Sequence, residues 1–147
     1  MKNLLLLLNL LLLLYMYNIL LYLIRIIHIL IVMFVVITPF LNINAYLLLH
    51  VIITPFIMLH WVTNDNTCAL TVAEYYLREI ITGKPVDRSQ CFMSQLIDPV
   101  YDFKKNNQEL SFYIYTFTIG LFSISLYKLI KKKKNGEIKS WWDLFRK

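Results

Sequence analysis

The chain has 147 residues, of which 59% are hydrophobic and only 16% charged, with a mean hydropathy of +0.58. That balance leaves little for a separate soluble domain and gives no parallel-sheet, phosphate-loop or dinucleotide fingerprint, so the fold class expected is an all-α integral membrane bundle. The formal net charge of +6 lies wholly in the last twenty residues, where eight basic residues from Lys128 onward meet only Glu137 and Asp143.

In chain order, residues 4–40 form an almost unbroken apolar run with no Gly or Pro before Pro39. As one helix it would reach about 55 Å, well beyond a hydrocarbon core of about 30 Å. Residues 2–18 resemble the basic start and leucine-rich core of a signal peptide, but no small-x-small cleavage site follows, which favours an uncleaved anchor. Residues 1–19 are therefore read as an N-terminal extension, with the main span at 20–38. A fourth span over residues 4–23 is the alternative, although a hairpin there would lack turn residues near 23–26. Arg25 is the one charge deep in this run, placed either to snorkel or to pair inside the bundle.

Thr38-Pro39 ends the first helix and residues 41–44 turn the chain. The second span is expected at 45–62, with a kink at Pro55, where one backbone hydrogen bond is lost. After the polar residues 63–67, Thr71-Val72-Ala73-Glu74 has the capping-box pattern. It predicts a short interfacial helix over 72–82 ending at Gly83, with Val72, Tyr76 and Ile80 as its apolar stripe and Glu74, Arg78 and Glu79 on the polar side. A second interfacial helix is expected at 91–97. The last span is expected at 110–130, within a membrane bundle covering 20–134 and followed by a basic tail at 135–147. In this span Thr116 and Gly120 have the small-xxx-small spacing that lets a neighbouring helix approach closely, as in a homo- or hetero-oligomer. In the tail, Trp141, Trp142, Leu144 and Phe145 suit a headgroup-level anchor.

Lysines directly after a span mark a cytosolic end and attract anionic headgroups; their closeness to the membrane disfavours a nucleic-acid partner. The segment 63–109 then lies on the exoplasmic side. Cys68 and Cys91 both fall there, where a disulfide could persist, closing a loop of some twenty residues for about 3 kcal/mol. Two independent thiols are the other reading.

All three histidines sit in apolar segments. His28 and His50 fall near mid-bilayer on consecutive antiparallel helices and are the candidate cofactor ligands, for haem or a metal. The plainer reading is a neutral histidine bonded to a helix neighbour, since no third ligand accompanies them. His60 lies ten residues beyond His50, about 15 Å along a helix, and cannot share its metal. A membrane enzyme using His60, Cys68 and Glu74 is a further reading, resting on proximity alone. The expected function is a non-enzymatic multi-pass membrane protein. The bias to Leu, Ile, Phe, Tyr, Lys and Asn, against three Gly and three Ala, points to an AT-rich genome such as that of a large DNA virus.

At His60-Trp61, Cys68-Ala69-Leu70-Thr71, Glu74 and Leu77-Arg78 the chain resembles a group of small uncharacterised membrane proteins of bacteria and giant DNA viruses. His28 and His50 are similar to that group's earlier membrane histidines, and Pro99-Val100-Tyr101 to a later segment of its viral variety. Ala69 stands where the bacterial pattern has Pro, which is closer to the viral form. The resemblance implies a small helical bundle with an exoplasmic Cys-x-Leu-Thr helix start, in a host or virion membrane if viral. It implies no activity, cofactor or catalytic residue.

Overall fold

The computed structural model describes residues 2–87, Phe92 and residues 107–140. Among them every regular element is helical: α1 (Lys2–Ile37), a single 3₁₀ turn (Thr38–Phe40), α2 (Asn44–Thr63), α3 (Ala69–Thr82) and α4 (Asn107–Lys134). Three of these helices, α1, α2 and α4, are long and apolar enough to cross a membrane. This is an all-helical integral membrane protein. The expected helix at 91–97, the tail aromatics from Trp141 and the Cys91 half of the expected disulfide lie outside the described residues, apart from Phe92, which is helical.

α1 is one helix of 36 residues with no turn at 23–26. Unbroken apolar sequence offers no residue that would reward leaving the helix, so the hydrogen-bond ladder simply continues. Residues 4–13 are exposed on every side. Pro39 stops the helix, and the Leu41 amide closes the turn on the Thr38 carbonyl at 3.0 Å. α2 stays helical through Pro55.

The burial pattern is the reverse of that in a water-soluble protein. The buried side chains among the described residues are Leu21, Val35, Pro39, Leu47, Leu77 and Leu121 on the apolar side. The polar ones are more numerous: His28, Thr38, His50, Thr54, Thr71, Glu74, Thr118 and Ser125. Large apolar side chains such as Leu30, Phe56 and Phe117 point outward. In a lipid solvent apolar surface gains nothing by hiding, whereas polar groups must find protein partners.

The chain forms two compact units: residues 1–29 with 67–105, and residues 30–66 with 106–147. In the first, α1 meets α3 through Arg25 and Glu74. In the second, α2 and α4 run antiparallel, fixed at both ends. At one end the Lys132 ammonium donates to the Asn42 carbonyl at 3.0 Å and to Asn44 Oδ1 at 2.6 Å. At the other, Trp61 meets Tyr115 edge-on with ring centres 5.9 Å apart, and the Tyr115 hydroxyl donates to Asn66 Oδ1 at 2.7 Å. Asp65 and Asn66 adopt left-handed backbone, φ 50° and 58°, which short polar side chains tolerate best after glycine.

The expected start of α3 is corrected here. The helix begins at Ala69 with Cys68 as its N-cap and no side-chain cap bond, so the Thr71–Glu74 capping box does not form. Its buried stripe is Thr71, Glu74 and Leu77, while Val72 and Tyr76 are exposed. The cause is Glu74: a carboxylate beside a membrane helix is better placed inward against Arg25 than outward, and it carries its face of the helix with it. The Gly83 end is as expected, with φ 65° and its amide bonded to the Glu79 carbonyl.

Candidate functional site

In the first unit Arg25 does not snorkel. It stands one turn beyond Leu21 and three residues before His28, so all three share the inward face of α1. Its Nε and Nη2 donate to Glu74 Oε1 at 3.3 and 3.0 Å. The backbone amide of Phe92 donates to the same carboxylate, at 3.2 Å to Oε1 and 3.3 Å to Oε2. The Arg78 guanidinium stands 4.0 Å away, and the Arg25 guanidinium carbon lies 5.3 Å from the centre of the Phe92 ring. Glu74 is thus 2% exposed and closely ringed by donors, while Arg25 keeps 25% of its side chain exposed. Among the described residues its hydrogen-bond donors are a guanidinium and a backbone amide.

That arrangement bears on the catalytic reading. Cys68 is half-buried at the start of α3 with a free thiol. His60 belongs to the second unit, whereas Cys68 and Glu74 belong to the first. Leu70 is half-buried in the first turn of α3, and Trp61 is occupied with Tyr115.

The two candidate cofactor histidines also divide between the units, His28 in the first and His50 in the second. His50 is wholly buried. Its Nε2 lies 3.1 Å from the Val35 carbonyl and its ring 5.9 Å from that of Phe34. A carbonyl only accepts, so Nε2 carries the proton and, in the neutral ring, Nδ1 keeps a lone pair. Among the described residues that Nδ1 has no hydrogen-bond partner, and neither do the buried Thr54 Oγ1 and Ser125 Oγ. Thr54 is one turn from His50 on the same face of α2. Counting from the Lys132–Asn44 contact, His50 lies six residues along α2 and Ser125 seven back along α4, the same height to within about 1.5 Å. The middle of the α2–α4 pair therefore holds three polar atoms, each carrying a desolvation cost of about 1–3 kcal/mol while unpaired. Sequence reading singled out His50 but missed Thr54 and Ser125. Their signal is spacing: His50 and Thr54 at i and i+4, and Thr118, Leu121 and Ser125 at i, i+3 and i+7, each mark one inward stripe.

Thr116 and Gly120 are exposed, and nothing lies within 4 Å of where a Cβ on Gly120 would be. α4 packs through the Thr118–Leu121–Ser125 face instead. No group of three or more His, Cys, Asp or Glu able to hold a metal occurs among the described residues.

The third polar locus is the lysine-rich end of α4. The Lys128 ammonium donates to the Pro39 carbonyl at 2.6 Å, and Lys132 closes on Asn42 and Asn44. Asn42, Lys128, Lys131, Lys132, Asn135 and Glu137 enclose an open cavity of about 250 Å³. Comparison with protein-family models, with curated proteins and with solved structures found no match to this chain.

Proposed function

We propose that this chain is a non-enzymatic multi-pass membrane protein whose inward polar groups serve to hold its helices. The observation that carries this reading is the Glu74 carboxylate, buried and engaged by Arg25 and the Phe92 amide, which tie α3 to α1. The Lys128 bond to Pro39 supports it in the same way, since a lysine of α4 is spent on fastening the turn after α1 to α4. The sequence resemblance around His60-Trp61 and Cys68–Arg78, with the AT-rich composition, supports a place among small membrane proteins of large DNA viruses, in a host or virion membrane. On this reading the tail is cytosolic, and the partners are the bilayer with its anionic headgroups, together with a second copy or another membrane protein through Thr116 and Gly120, rather than nucleic acid.

One observation favours a second reading, a haem- or metal-binding redox or transport protein centred on His28 and His50. It is the buried, unpartnered Nδ1 of His50, whose lone pair suits a metal ion. Absorption spectra and metal analysis of the detergent-purified protein separate the two. The first reading expects no Soret band and no stoichiometric metal. One haem or metal ion per chain, lost in His50→Ala, would overturn it.

A further inference from the structure

The cavity at the lysine-rich end of α4 has the makings of a binding site. It lies where the apolar stretch of α4 ends at Ile130, which is headgroup depth for a helix that crosses the bilayer. Three lysines line it against one carboxylate, Glu137, so its lining carries a net charge of +2. Two of those lysines are already fixed by the turn between α1 and α2. Lys128 spends one N–H on Pro39, and Lys132 spends two on Asn42 and Asn44, which leaves two donors on the first and one on the second. Lys131 is exposed and makes no hydrogen bond among the described residues, so it brings all three donors. Lys133 and Lys134 follow directly in sequence but do not line the cavity.

From this we infer that the cavity binds the phosphate of one anionic phospholipid, with Lys128 and Lys132 as fixed donors and Lys131 as the closing one. The size suffices for a phosphate headgroup: the open cavity measures about 250 Å³. The rim fits a lipid rather than a soluble phosphate. The chain neighbours of the lining residues include Ile43, Tyr127 and Ile130, all exposed apolar side chains that acyl chains can cover. The inference rests on the reading of this end as the membrane-surface end. It goes further by replacing a general attraction to anionic lipid with one defined site.

The test uses the full chain in phosphatidylcholine nanodiscs doped with a minority of phosphatidylglycerol, with the lipid retained after extraction counted by native mass spectrometry. One phosphatidylglycerol per chain is expected to persist. Lys131→Gln should weaken its retention about fivefold, the worth of one lysine at an anionic surface, whereas Lys133→Gln/Lys134→Gln together should change it less than about twofold. Circular dichroism of each variant checks that the helices remain. Equal losses in both variants would overturn the pocket in favour of diffuse attraction and leave the membrane reading standing. Displacement of the lipid by millimolar inorganic phosphate would make this a free-phosphate site and overturn the lipid assignment. A chain that does not enter the nanodisc at all would overturn the membrane reading together with the pocket.

Discussion

Replacing Glu74 by Gln removes one charge from a buried pair and leaves nearly the same shape. Breaking a buried ion pair by removing one partner costs about 3–5 kcal/mol when the remaining charge has no escape. Here the remaining charge is Arg25, a quarter exposed and stacked near the Phe92 ring, so the loss should fall to about 2–3 kcal/mol. Arg25→Met should be worse, about 3–5 kcal/mol, because it strands a carboxylate that is 2% exposed with only the Phe92 amide and a guanidinium 4.0 Å away. The double variant Arg25→Met/Glu74→Met should recover most of the loss, since neither charge is then left buried and methionine adapts to the space. Hydrogen exchange of the α3 amides in detergent reads these differences directly, with Glu74→Gln speeding exchange roughly 30- to 150-fold if local opening governs it. Thr71→Ala is the internal comparison. With no capping box it loses mainly a buried methyl, about 1 kcal/mol and about fivefold faster exchange. Two results would refute the reasoning: single-variant losses that simply add in the double variant, or a Thr71→Ala effect larger than that of Glu74→Gln.

Three other expectations follow from the same contacts. His50→Ala should destabilise the α2–α4 unit by about 2–4 kcal/mol, by leaving the Val35 carbonyl unpaired and opening a cavity, and chemical denaturation in detergent would show the shift. Tyr115→Phe removes one exposed hydrogen bond to Asn66 and keeps the edge contact with Trp61, so it should cost only about 0.5–1 kcal/mol, seen as faster exchange at the Asn64 and Asn66 amides. For topology, in a background of Cys68→Ser/Cys91→Ser, an impermeant maleimide added outside intact vesicles should label Lys84→Cys and spare Lys139→Cys; the opposite pattern would invert the assigned orientation.

The sequence by itself determined the membrane class, three helices long and apolar enough to cross a bilayer, and the stops at Pro39 and Gly83. Those features depend on local properties: apolar runs long enough to cross a bilayer, a proline that cannot continue a helix, a glycine free to turn left-handed at position 83. It also marked Arg25, His50 and Glu74 as residues out of place in their surroundings. What it did not determine was which face of α3 turns inward. Helical periodicity marked Val72, Tyr76 and Ile80 as the apolar stripe of an interfacial helix without saying which face meets protein, and the capping pattern gave Glu74 a local partner. The tertiary structure decided it, because Glu74 meets Arg25 from 49 positions away in the chain, and in a membrane an ion pair outweighs a stripe that lipid already solvates. The same holds for Thr54 and Ser125. Each is an ordinary small polar residue in its own helix, and only the antiparallel register fixed by Lys132 at one end and Tyr115 at the other sets Ser125 level with His50.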